Sequence, residues 1–410
     1  MSDNKKKILL VHSSDGIAKR LRNRFRNLRC DIEVTQNLDD AAGHIQSDNP
    51  ELIFVDTESL GENGCSEMKR LQPLLFASQS KFVLYAPERN GYGDSVPDTH
   101  DVDWRMTTFS IDSFIHTVES YMSPDVQIRL WGVRGSTARP GKEYMLYGGN
   151  TSCLQIVLPD NDDLIVFDSG TGIHGLGNEL VNSGRKIHGR IFITHSHWDH
   201  IQGFPFFKPF FDRQNTFAIH MPTQQKLQCH EVMQGLMSQN YFPTTTDNFM
   251  ASMKYVTQVS HEQVYEGYTV EFMPANHART TAMYKLRTGN KTIVYAPDNE
   301  LEPIHNGIIQ DFRVQMKNFL SDADLLIHDA QYERSTYPAK KGWGHSAWQE
   351  TVEIAADAGV KELILTHHDP DSTDEDLLET DKKLYQYRDY FKSLQLAREG
   401  FVHRLKKEPA

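Results

Sequence analysis

The first third of the chain alternates short, unbroken apolar runs with polar stretches of helical period. "ILLV" (8–11), "LIFV" (52–55) and "KFVLY" (81–85) are continuous apolar segments, the pattern of strands covered on both faces of a sheet. Between the first two, "GIAKRLRNRFRNL" sets Ile17, Leu21, Phe25 and Leu28 at helical spacing. "DIEV" and "DWRM" are shorter strand candidates, and "DSFIHTVESYM" predicts a closing helix. Five β–α repeats predict an α/β domain over residues 1–122, a doubly wound (βα)5 parallel sheet. "SPDVQ" (123–127) has a proline and no period and reads as a linker, leaving 128–410 as a second domain.

Within that second domain the strand-like run "GRIFIT" (189–194) is followed at once by "HSHWDH". Imidazole is the commonest metal ligand. In extended chain, residues two apart share a face, so His195 and His197 can grip one ion. After a turn, Asp199 and His200 can reach a second ion beside the first. Three further candidates follow apolar runs downstream: His277 in "FMPANHA", Asp298 in "TIVYAPDNE" and His367 in "ELILTHHDP". Together these are seven ligands, enough for two metals bridged by one carboxylate. His368 adjoins His367, and spacing alone does not choose between them.

Composition narrows the reading. Of 410 residues, 39% are hydrophobic and 24% charged, as in ordinary globular proteins. The formal charge of −12 disfavours long nucleic acids as ligands unless basic groups cluster. The first helix candidate does carry Lys19, Arg20, Arg22, Arg24, Arg26 and Arg29, but such charges are usually the solvated side of an amphipathic helix. Cys30, Cys65, Cys153 and Cys229 form no C-x-x-C pair, which suits a reducing compartment. No apolar run is long enough for a signal peptide or membrane span, so the expectation is a cytoplasmic protein without membrane contact.

Two resemblances follow from these motifs. Residues 1–122 resemble a response-regulator receiver domain, with Asp56 in "LIFVDTESLGENG" where receivers carry their phosphoacceptor. The surrounding machinery differs: His12 and Ser13 stand where an acidic pair binds magnesium, Tyr85 replaces a hydroxyl residue and Thr107 a lysine. A pseudo-receiver used for docking a protein partner or for homodimerisation is therefore preferred over phosphorylation of Asp56. Residues from about 127 to 405 resemble the metallo-β-lactamase fold, through "HSHWDH", the later His, Asp and His, and Asp168 in "LIVFDSGTG". That resemblance implies an αββα sandwich. It assigns His195, His197 and His277 to one metal, Asp199, His200 and His367 to a second, and Asp298 to both. The donor set favours zinc, with manganese or iron admitted.

"ADLLIHDAQY" (323–332) and "GWGHSAWQETVEIAADAG" (342–359) are similar to segments of the phosphodiesterase branch, which includes ribonuclease Z. There His345 would contact the scissile phosphate and protonate the leaving oxygen, while His328 would orient its neighbours. Asp199 would hold the nucleophilic hydroxide formed by the lowered pKa of coordinated water or take its proton, which makes Asp199 and His345 the catalytic candidates. "GHSAWQE" also predicts a helix start capped by Ser346. No long Gly/Pro-rich arm for tRNA is evident; the stretch 204–246 is placed to form a lid or wall of the pocket, while Phe-rich runs such as "FPFFKPFF" more often serve as core or dimer contacts. Arg134 and Asn150 are candidate anion or hydrogen-bond contacts near the site. The expected substrate is a small phosphodiester, a cyclic nucleotide or cyclic phosphate. The alternatives are an RNA-processing nuclease and a signalling adaptor with a vestigial hydrolase.

Overall fold

A computed structural model describes the chain apart from residues 1–5, 15, 18–19, 22–29, 61–65, 67, 69–79, 87–101, 106–108, 123–124, 160, 259–261, 278–279, 303–310, 322 and 407–410. Most of the helix expected at 16–28, with its basic face, and Thr107 lie outside the described residues. The chain divides into two compact units, residues 1–123 with 179–186, and residues 124–178 with 187–410.

In the first unit, strands β1 (Lys6–Val11), β2 (Cys30–Thr35), β3 (Leu52–Asp56), β4 (Lys81–Tyr85) and β5 (Val102–Arg105) form one parallel sheet in the order β2-β1-β3-β4-β5. Helices α1 (Leu38–Asp48) and α2 (Ile111–Met122) accompany it. Alternate side chains of the apolar runs enter two cores. Leu9, Val11, Ile53 and Val55 meet Leu38, Ala41 and Ile45 of α1. Ile8, Leu10 and Phe54 meet Phe114 and Val118 of α2. A parallel sheet covered on both faces needs just such unbroken runs.

The second unit is a two-sheet sandwich. One sheet holds β6 (Val126–Gly132), β7 (Cys153–Val157), β8 (Leu164–Phe167), β9 (His188–Phe192), β10 (Thr216–Pro222) and β11 (Ser252–Gln258). The other holds β12 (Glu262–Tyr265), β13 (Tyr268–Pro274), β14 (Ala282–Thr288), β15 (Lys291–Ala296), β16 (Leu325–Asp329), β17 (Glu362–Thr366) and β18 (Ser393–Leu396). A last strand, β19 (Val402–Leu405), returns to pair with β6, so the orders are β11-β10-β9-β8-β7-β6-β19 and β12 to β18 in sequence. Val126 and Gln127, expected in the linker, already belong to β6, where they pair with β19 and, for Gln127, with β7.

Period-two alternation explains why β15 to β17 are apolar throughout. Ile293, Tyr295, Leu325, Ile327 and Ile364 face the opposite sheet and pack on Ile156, Ile165, Phe167 and Phe192. Val294, Ala296, Leu326, Leu363 and Leu365 face outward. There they are covered by α6 (Phe312–Leu320), α7 (Trp348–Asp357) and α8 (Asp374–Leu384), which follow α3 (Ile173–Ser183), α4 (Trp198–Ile201) and α5 (Cys229–Leu236) in the chain.

Candidate metal centre

Parallel strands β8, β9 and β15 to β17 all end at one edge of the sandwich, and the chemistry-bearing residues follow their C-terminal ends. Asp168 follows β8, His195 to His200 follow β9, Asp298 follows β15, Asp329 ends β16 and His367 follows β17. His277 comes from the β13–β14 turn. Strand ends place such residues at sheet edges while their backbones stay anchored in the ladder.

Three groups of donors result, His195, His197, His277 and Asp298, then Asp199, His200 and His367, and an overlapping set of Asp298, His345 and His367, the atoms of each within 4.8 Å of one another; the first two share no residue. Asp298 stands between them. Its Oδ2 is 2.9 Å from His200 Nε2 and 3.3 Å from His367 Nε2, and its Oδ1 is 3.7 Å from His277 Nε2 and 3.9 Å from His195 Nε2. Asp199 Oδ2 lies 3.2 Å from His367 Nε2 and accepts the Ser136 N–H at 2.7 Å. His367 Nε2 points into the cluster, whereas His368 Nε2 donates to the Ala397 carbonyl at 2.9 Å and faces away.

Surrounding residues orient the imidazoles. Asp168, fully buried, is bonded by His200 Nδ1 at 2.8 Å, Thr194 N at 2.8 Å and Tyr295 OH at 3.1 Å. His277 Nδ1 donates to the Gly344 carbonyl at 2.9 Å, turning Nε2 toward Asp298. Second partners of this kind fix tautomer and ring orientation. Backbone strain gathers here too: Asp168, Ser136 and His367 all have φ of 60°.

The residues fit a pair of divalent cations. His195 Nε2, His200 Nε2 and Asp298 Oδ2 are buried and make no well-formed hydrogen bond. Burial pushes His195 and His277 down and His197 to about 4, which leaves neutral imidazoles with free lone pairs. Burial works against ionised Asp298, yet His200, His367 and His195 hold it well below the carboxylate range. Likewise burial opposes the charge on His200, but Asp298, Asp199 and Asp168 raise it. Three buried carboxylates among imidazoles leave negative charge that bound cations would balance.

A cavity of about 850 Å³ opens over the cluster, lined on one side by Ser136, Asp199, His277, Asp298 and His345, and elsewhere by Gln331, Tyr332, Lys340, Trp343, Asp369 and Asp371. His345 Nδ1 is 2.8 Å from Asp329 Oδ2, and its ring stacks on His367 at 4.8 Å. Burial alone would lower His345, but Asp329, then Asp298 and Asp199, raise it to about 9. Asp329 gives no mark of its role in the sequence, because a lone carboxylate ending a strand carries no signal until its histidine is known. Its Oδ1 accepts the Gln331 N–H at 3.0 Å, which pins the dyad to β16. His328 bonds Asn299 Nδ2 at 3.0 Å and Thr351 Oγ1 at 3.1 Å, holding the residue next to Asp298.

Several expectations change. Ser346 does not cap α7, whose N-cap is Ala347 without a side-chain bond. Instead Ser346 Oγ donates to the Asn299 carbonyl at 2.6 Å and accepts the Leu301 N–H. Arg134, fully buried, donates to the carbonyls of Gly148, Asp369 and Ser372, so it ties loops together and offers the cavity no cation. Asn150 bonds Glu399 at 2.5 Å. Of the readings of the Phe-rich stretch, the core one holds and the wall one does not: Phe204, Phe207 and Phe210 pack with Phe217 and Phe249 in an aromatic core and are absent from the cavity lining.

The "Beta-lactamase superfamily domain" model matches residues 164–368, half of the chain and the span that contains every donor of the cluster. The chain belongs to the beta-lactamase superfamily. Its sandwich is the metallo-β-lactamase fold, which implies divalent ions at this edge. Among curated relatives of this superfamily member, ribonuclease Z of Methanothermobacter thermautotrophicus is 26% identical over 258 residues, 53% of this chain and 81% of that protein. Ribonuclease Z of Streptococcus equi subsp. equi is 27% identical over 264 residues, 53% of this chain and 83% of that protein. The metallo-beta-lactamase fold protein YhfI from Bacillus subtilis aligns over 68% of this chain and all of its own, at 19% identity and a TM-score of 0.49.

Proposed function

We propose that the second unit is a two-metal phosphodiesterase acting on a small phosphodiester. The observation that carries this is the Asp329–His345 dyad set against the paired donor groups, with His345 Nδ1 engaged by Asp329 and Nε2 left for substrate. His195, His197 and His277 would hold one ion, Asp199, His200 and His367 the other, and Asp298 both. Such ions supply Lewis acidity toward phosphoryl oxygens and lower the pKa of water at neutral pH.

The protein's own residues do the rest. Asp199, fixed by the Ser136 N–H, accepts the proton of the attacking water. His345, kept protonated by Asp329, donates Nε2–H to the departing oxygen and neutralises charge on the phosphoryl group. Asp298 and Asp168 keep the imidazoles aimed. The named activity of the ribonuclease Z relatives supports phosphodiester chemistry and keeps RNA processing as the second reading. On the cavity wall Asp369 engages Lys340 and Asp371 engages Arg139, so neither cation is offered to a polyanion, which suits the smaller substrate. For the first unit we propose a pseudo-receiver that docks a protein partner: the β2-β1-β3-β4-β5 order suits it, and Asp56 is 5% exposed with His12 Nε2 3.4 Å from its carboxylate.

The test combines metal analysis with leaving-group dependence. Two metals per chain are expected, with Asp199→Ala reducing turnover of bis-p-nitrophenyl phosphate at least ~100-fold. His345→Ala should cost ~100-fold with an alkyl leaving group and far less with p-nitrophenolate, which departs without a proton. Metal without turnover of any diester would refute the phosphodiesterase reading, and cleavage of precursor tRNA in preference to small diesters would move the assignment to the nuclease.

A further inference from the structure

We infer that the substrate carries a planar aromatic base, received by the indoles of Trp198 and Trp343 beside the metal centre. This rests on the phosphodiesterase reading and narrows it to nucleoside esters. Both residues line the cavity, and both are exposed, Trp198 at 75% and Trp343 at 62%. Large aromatic side chains bury most of their surface when nothing else decides their place. Two indoles left in water on the lining of one polar pocket are therefore a binding feature.

Each indole is also held at its backbone. Trp198 opens α4 directly after His197 and before Asp199, so its position is tied to the donor cluster. Trp343 sits between Gly342, with φ of +85°, and Gly344, with φ of +90°. Both flanking N–H groups donate to one carboxylate, Glu300, at 2.7 and 3.0 Å. Glu300 is 1% exposed and also accepts the Tyr337 hydroxyl at 2.6 Å. The Gly344 carbonyl in turn holds His277. The loop that presents Trp343 is thus fastened to buried Glu300 and, through Gly344, to the donor His277. An indole carried on a fixed backbone loses little freedom when a flat ring stacks on it.

Charge on the wall points the same way. Lys340 Nζ is engaged by Asp369 at 2.7 Å and lies over the Tyr332 ring at 4.4 Å. With Asp371 likewise engaged by Arg139 at 3.3 Å, the lining offers little to a chain of phosphates. An uncharged base beside a single phosphodiester suits it better.

The experiment compares two esters with the same leaving group, thymidine 5′-(p-nitrophenyl phosphate) and methyl p-nitrophenyl phosphate. The wild type should prefer the nucleoside ester in kcat/KM. Trp343→Ala or Trp198→Ala should cut that preference about tenfold, while Trp343→Phe keeps most of it. A wild type without preference, or a preference that survives both alanine substitutions, overturns the inference. If neither ester turns over, the phosphodiesterase reading fails on its own and a fluorescence titration with thymidine 5′-monophosphate decides. Saturable quenching of indole emission that Trp343→Ala weakens would then support the base site, and its absence would overturn it.

Discussion

At the scale of single residues, the centre depends on side chains that hold other side chains. A Cβ on Gly344 would sit 2.1 Å from His277 Nδ1, at a φ that L residues avoid. Gly344→Ala is expected to displace His277 and lower metal occupancy at its group of donors, measurable by metal analysis after dialysis. Asp168→Ala removes the partner of His200 Nδ1 and should weaken metal affinity about 10–100-fold in a chelator competition. His195, His197, Asp199 and His200 stand out in the sequence because four donors crowd into six positions after a strand. His277, Asp298 and His367 are legible only as polar residues ending apolar runs. Asp329, Glu300 and Gly344 are not legible at all: each holds a partner 16 to 67 positions away, and nothing local marks it.

At the scale of elements, the apolar runs disclose the strands because β15 to β17 are covered on both faces. The stretch "FPFFKPFF" is apolar for a related reason. It folds as two short 3₁₀ turns, Phe204–Phe206 and Lys208–Phe211, and a period of three sends Phe204, Phe207 and Phe210 inward together. Phe206 and Phe211 are left partly in water. These rings are a supporting core, so Phe210→Ala should cost about 3–5 kcal/mol in denaturant unfolding while metal stoichiometry stays at two. The start of α7 was hard to foresee. Ser346 is spent on the Asn299 carbonyl, a partner that only the β15–β16 crossover brings near.

For the whole molecule, two buried histidines that are not among the donors, His220 and His368, add to the response to acid. His220 stacks on Phe192 at 4.7 Å, and burial, with Arg190 and Lys254, lowers it to about 4. Burial lowers His368 to about 3. Unfolding lets both take protons near the ordinary value of 6.5, so their stabilisation is intact above that pH and is lost as pH falls toward 4 and 3. His220 alone should account for about 3 kcal/mol near pH 4. His220→Phe should therefore flatten the fall of melting temperature between pH 6.5 and 4 relative to wild type. An unchanged slope would show that His220 does not carry it. The donors of the centre come from separate strand ends between His195 and His367, with Asp298 touching both groups. A chain still being synthesised cannot assemble both halves of the centre until β17 has emerged and docked. On the two-metal reading, retention of both ions would then be a quality mark of a finished molecule, and a truncated or misfolded copy would announce itself by the metal it fails to keep.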